Sequence, residues 1–158
     1  MILNMRGENS GYKNWSEIRK LENSIKLNNE LCEFYQLVSK LAHIYISRGL
    51  KLVIENPCGE QHYLTRYWCI RPKIIDKSRR VNGDYYEKPT QYWFIGFEPS
   101  TNVVFEPIEW VDKKIISKVR NQVERSMIHP QYASRFIRQH ILTPEQFEKA
   151  QRELEKTR

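Results

Sequence analysis

The chain has 158 residues, 40% hydrophobic and 28% charged, and 26 Lys and Arg against 19 Asp and Glu give it a net charge of +7. That length suits a single globular domain, 1–158, with its own core. No apolar run approaches the roughly 20 residues of a membrane helix, and the opening MILNMRGENSGYKNW lacks an apolar block ahead of a cleavage site, so neither a membrane nor a secreted protein is expected, and a cytoplasmic one is.

In chain order, residues 1–14 are polar, with Gly7 and Gly11, and read as an irregular arm. From Trp15, apolar residues recur at spacings of three and four: Ile18, Leu21 and Ile25, then Leu31, Phe34, Tyr35, Val38, Leu41, Ala42 and Tyr45. This periodicity predicts an amphipathic helix with a break near Asn28-Asn29, closed by Gly49. Leu50 to Glu55 (LKLVIE) is a short β-branched run stopped by Asn56-Pro57, which predicts a buried strand. Helix, glycine and strand over 15–57 make half of an α/β unit, in which ligands meet the carboxyl ends of strands.

The stretch 58–112 is β-rich and aromatic. Two strands are predicted, Tyr67 to Ile75 and Tyr92 to Phe97, around a polar loop whose Asn82-Gly83 permits a tight turn. Pro72 pushes the first of these toward a sheet edge, and NVVFEPIEWV reads as a third short strand. In the basic helical region 113–158, one helix is expected from Ile115 to Arg125 and another from Gln131 to Ile141. The last is expected over 144–156, where Thr143-Pro144-Glu145-Gln146 supplies a cap, a first-turn proline and a capping-box glutamine.

Few residues are arranged for chemistry. Glu55, at the mouth of a strand, could protonate or hydrogen-bond a substrate nitrogen, or simply cap a nearby amide. Cys58 and His62 stand four apart in one loop, a spacing that rarely makes a nucleophile and its base. His43, His62, His129 and His140 form no HxH or HxxxH pair, and Cys32, Cys58 and Cys69 show no ligand spacing, so no metal and no disulfide are expected. No glycine-rich phosphate loop opens a helix after a strand, so no cofactor is expected either.

The cations are more informative. Lys77, Arg79, Arg80 and Lys88 lie among Tyr67, Trp68, Tyr85, Tyr86, Tyr92 and Trp93, the mixture that serves nucleic-acid backbones and bases. Between residues 113 and 140, seven basic residues (Lys113, Lys114, Lys118, Arg120, Arg125, Arg135 and Arg138) face one acid, Glu124. Both groups are expected to form a surface for a polyanion. The alternative is a solvated turn beside inward-facing aromatics.

Glu55-Asn56-Pro57 after an apolar strand, then HYLTRYW, IID, KSRR, NGDYYEKPTQYWF and RSMIHPQYASRFIRQHIL, resembles the C-terminal part of the DNA cytosine-5 methyltransferase-like proteins of phages and other mobile elements. The likeness spans residues 10 to 142, and Lys88-Pro89-Thr90 with its following aromatics is its more distinctive piece. It implies a Rossmann-like α/β (α+β) remnant and a Glu55 descended from a residue that contacts the target cytosine. The glycine-rich S-adenosylmethionine loop and the Pro-Cys nucleophile loop, which in that family precede these elements, have no counterpart ahead of Glu55. Pro57-Cys58 follows the Glu-Asn pair and cannot stand in for them. Glu55 and Asn56 are therefore expected to be vestigial and the chain non-catalytic. It is expected to bind nucleic acid or a nucleic-acid enzyme such as a nuclease in a bacterial host, as an anti-CRISPR or anti-restriction inhibitor. The alternatives are the DNA-recognition half of a split methyltransferase and a plain DNA-binding accessory protein. A homodimer is expected to cover the edges that a reduced fold exposes.

Overall fold

The computed structural model describes residues 14–59, 63–112 and 121–156, with only the backbone at 63, 122 and 125. It is an α+β protein whose chain divides into two compact units, 1–50 and 51–158.

The described part of the first unit is one helix, α1 (Glu17–Ser47), without a break at Asn28-Asn29. The Ser16 side chain caps its start by accepting from the Arg19 amide at 3.3 Å. Gly49, at φ +63°, ends it: its N–H reaches the Ile46 carbonyl while that of Leu50 reaches back to Tyr45 at 2.8 Å. This pair of bonds satisfies carbonyls that the helix end would otherwise leave open. Ile18, Leu21 and Ile25 remain largely exposed.

The second unit is built on a three-stranded sheet of order β1-β3-β2, with β1 (Leu52–Pro57), β2 (Ile74–Asp76) and β3 (Thr90–Ile95). Both pairings are antiparallel. The parallel α/β arrangement expected after α1 and β1 is not formed by these strands. Parallel neighbours need a long crossover, usually helical, and the described residues between β1 and β2 provide only a five-residue helix, α2 (Tyr63–Tyr67).

Every residue of β3 is buried. Its two faces meet different partners, as the alternation of a strand requires. Tyr92 and Phe94 join Tyr132 and Phe136 of α4 (Pro130–His140), with Val53, Ile74, Phe97 and Ile141 packed around them. On the opposite face Trp93 packs near Trp68 and donates to the Ile70 carbonyl at 3.0 Å, while Gln91 donates to the Thr65 hydroxyl. The strand expected over Tyr67 to Ile75 is therefore only β2, because Tyr67 closes α2 and residues 68–73 turn beneath Trp93.

Asn82-Gly83 does not form a two-residue hairpin turn. Gly83, at φ +95°, terminates a 3-10 turn (Arg79–Asn82) within the longer connection from β2 to β3. Residues 102–111 form no strand and run as a strap along α4, held by side chains. Two helices complete the described chain: α3 (Gln122–Ser126) and α5 (Pro144–Lys156). The capping box of α5 is reciprocal: Thr143 Oγ1 accepts from the Gln146 amide, and Gln146 Oε1 accepts from the Thr143 amide at 3.0 Å. Among the described residues no helix is long and apolar enough to cross a membrane.

Candidate nucleic-acid interface

Register fixes which residues share a face. Glu55 pairs with Tyr92 and Asp76 with Thr90, so both carboxylates project toward α4, one on each side of β3. Between them the 3-10 turn inserts Arg79, whose side chain is 1% exposed. Its Nε and Nη2 bond to Asp84 Oδ2, Nη2 also reaches the Met127 carbonyl at 3.3 Å, and Nη1 lies 3.6 Å from Glu55. The guanidinium also stands over the Tyr132 ring, 5.5 Å from its centre.

Asp84 is equally buried, and its other oxygen accepts the amides of Tyr85 and His129. A buried ion pair is tolerated when hydrogen bonds satisfy both partners, and here they do. Among the described residues Glu55 receives only the longer contact, and its side chain is 35% exposed. It is held in place while most of its hydrogen-bonding capacity is left open.

A second polar chain crosses the same layer. Tyr132 donates its hydroxyl proton to Asp76 Oδ2 at 2.9 Å and so accepts from the Tyr92 hydroxyl at 2.7 Å. Asp76 also accepts from the Ser78 amide and from Asn82 Nδ2, both at 3.0 Å. Burial pushes the Tyr92 hydroxyl up to about 12, with Arg79 and the Tyr132 bond opposing. Burial, then Tyr92 and Asp76, push Tyr132 up as well.

The predicted cations separate into distinct groups. Arg79 is not on the surface, because the 3-10 turn points it at Asp84. Arg80 is half-buried, donating to the Val111 carbonyl at 3.1 Å beside Trp110. Arg135 donates to the carbonyls of Glu106 and Val104, and Arg138 forms a two-pronged pair with the Glu106 carboxylate. These two side chains fasten the strap to α4. Asn102 adds to this with bonds from its amide and its side chain to carbonyls at the end of α4 and just beyond it. Arg138 first, then Arg135, holds the Glu106 carboxyl below its usual range.

Lys77 is exposed beside Asp76, and Lys88 is half-buried at the entry to β3. Lys113, Lys114, Lys118 and Arg120 lie outside the described residues, as do His62 and the side chain of Arg125; most of the helix expected over Ile115 to Arg125 also falls there.

Sequence patterns gave no site role to Asp76, Asn82, Tyr132 or Gln139, which with Lys77, Arg135 and His140 line a cavity of about 210 Å³ between β2 and α4. The available signal was modest: an aspartate closing the apolar pair Ile74-Ile75, and polar residues every third or fourth position along α4. Among the described residues, no three His, Cys, Asp or Glu side chains gather closely enough to hold a metal ion. Comparison with protein-family models, curated proteins and solved structures finds no match.

Proposed function

We propose that this chain is a nucleic-acid recognition protein, a remnant of the Rossmann-like, methyltransferase-like proteins its sequence resembles, acting by binding rather than turnover. The observation that carries this reading is Glu55: a partly exposed carboxylate at the edge of the sheet, aimed by Arg79, while Asp84 meets most of that arginine's charge. Such a group accepts hydrogen bonds from the amino and imino groups of a base. It does so without collapsing onto its own cation. The basic stretch from Lys113 to Arg125 and the exposed Lys77 supply attraction for phosphate. Through the same surface the chain would occupy a nucleic-acid enzyme in place of its substrate, the inhibitor form of this reading.

The test is a fluorescence-anisotropy titration with single- and double-stranded oligonucleotides at about 50 and 200 mM salt, where phosphate-driven binding should fall steeply. Glu55→Gln should weaken the binding or remove its base preference. Salt-independent binding, or none, rejects the reading. A parallel pull-down with and without nuclease separates nucleic acid from a protein partner.

A second reading, the recognition half of a split methyltransferase, is favoured by one feature: β1 is a six-residue edge strand carrying Glu55, with one side paired to β3. An edge of that length can accept a strand from another polypeptide. Recovery of methyl transfer on mixing with a cofactor-binding partner chain would support it.

A further inference from the structure

The cavity between β2 and α4 belongs to neither Glu55 nor the strap, and its lining is chemically specific. One wall is apolar and aromatic: Ile74 and the Phe136 ring, which is flanked by His140 at 5.1 Å and Tyr132 at 6.2 Å between centres. The rim is cationic. Lys77 is exposed there and has no ion-pair partner among the described residues. Arg135 directs its hydrogen bonds to two neutral carbonyls, and the Glu106 carboxylate is paired with Arg138.

The lone acid of the lining, Asp76, already accepts three hydrogen bonds from within the protein. It therefore makes little demand on a ligand and leaves two cations to outweigh it. His140 is also set for recognition. Its Nδ1 lies 3.2 Å from the Ser100 carbonyl, and burial pushes the imidazole below its ordinary range. A carbonyl can only accept, so Nδ1 carries the proton and Nε2 is left as an acceptor. Gln139 adds an amide with both donor and acceptor. At about 210 Å³ the space is smaller than the ~300–1,000 Å³ pockets that enclose drug-sized ligands.

We propose that this cavity binds one nucleotide unit, its phosphate at Lys77 and Arg135 and its base against Ile74 and Phe136, with Gln139 and His140 meeting the base's polar edge. The inference deepens the nucleic-acid reading and rests on it for the source of the ligand. The same chemistry could be supplied by a free mononucleotide or by the phosphorylated end of a strand.

The experiment is calorimetric titration of the full chain with a purine and a pyrimidine 5′-mononucleotide, the matching nucleosides, inorganic phosphate, and a short single strand with and without a 5′-phosphate. Two lining positions supply the variants: Lys77→Ala removes the rim charge, and Gln139→Trp, on the same face of α4 as Tyr132 and Phe136, fills the space. Thermal melting checks that both remain folded. Saturable binding of at least one mononucleotide, weakened about tenfold in Lys77→Ala as expected for loss of one charge-assisted bond and abolished in Gln139→Trp, supports the site. So does preference for the mononucleotide over both nucleoside and phosphate.

Tighter binding of the 5′-phosphorylated strand than of the free nucleotide would identify a strand end as the source. The reverse would identify the free nucleotide, and the site would stand while the nucleic-acid reading fell. Strand binding untouched by either variant would leave the nucleic-acid reading standing and overturn the site. The site is also overturned if phosphate alone binds as well as the nucleotide, or if nothing binds saturably at millimolar concentration.

Discussion

The carboxylate of Glu55 lies 3.6 Å from the guanidinium of Arg79, too far for a hydrogen bond and near enough to be oriented by charge. The two residues should consequently respond very differently to substitution. Arg79→Met leaves Asp84 buried without its cation and should cost about 3–5 kcal/mol, the usual penalty for breaking a buried pair. Glu55→Gln removes only a partly exposed, longer contact and should change stability by less than about 1 kcal/mol. Denaturant midpoints of the two variants check the contrast. Nucleic-acid affinity of the folded Glu55→Gln protein checks whether the carboxylate is used.

Arg135 and Arg138 both hold the strap, Arg135 through the Glu106 and Val104 carbonyls and Arg138 through the Glu106 carboxylate. Arg138→Ala strands the Glu106 carboxylate, and Arg135→Ala leaves the Val104 and Glu106 carbonyls without their donors. Each should loosen residues 102–111, where Phe105 already stands 85% exposed. Limited proteolysis should cut near Phe105 faster in both variants, and amide exchange should rise from Ser100 to Glu109. If Arg138 served nucleic acid instead, affinity would fall in Arg138→Ala with no change in cleavage.

These outcomes also indicate which parts of the fold could be read from the sequence. Local signals were legible. Thr143-Pro144-Glu145-Gln146 formed its capping box, Gly49 closed α1, and the apolar runs around Ile54 and Phe94 became β1 and β3. The fate of the arginines was not legible, because it is decided by partners far along the chain: Met127 for Arg79, Val111 for Arg80, Glu106 for Arg138. A basic side chain facing water and one turned onto a buried aspartate look alike in composition. The acids at 76 and 84, flanking Arg79, were the available hint. The strap misled for a related reason: its β-branched residues suggest a strand, yet its backbone bonds go to the side chains and end of α4.

Replacing Gly83 has two separate costs. Its φ of +95° disfavours a side chain, and an added Cβ would stand 2.5 Å from Gln131 Nε2. That amide cannot retreat freely, since Gln131 bonds to both the carbonyl and the amide of Glu109, at 2.9 and 2.8 Å. Gly83→Ala should therefore destabilise by about 1–2 kcal/mol. A Gly83→Ala, Gln131→Ala double variant should relieve the steric part alone. Thermal unfolding of both separates the backbone cost from the clash.

The Tyr92–Tyr132–Asp76 chain and His140 should narrow the pH range of stability from opposite sides. Tyr92 is raised from 10.0 to about 12 by burial, and Tyr132 is raised too. Folding thus favours the neutral phenols. Their contribution is complete below pH 10, and it is lost as the unfolded tyrosines ionise between pH 10 and about 12 and beyond. His140 is lowered from 6.5 by burial, against the Ser100 carbonyl and Asp76. Folding favours its neutral form, so that contribution is complete above pH 6.5 and is lost as pH falls through the lower folded value. Tyr132→Phe should cost about 1–2 kcal/mol at neutral pH, because Asp76 and Tyr92 lose a buried partner. Its alkaline decline should nevertheless be shallower than that of the unmodified chain. Chemical denaturation at intervals from pH 5 to 11 measures both limbs. An alkaline slope unchanged by Tyr132→Phe would show that this hydroxyl does not set it.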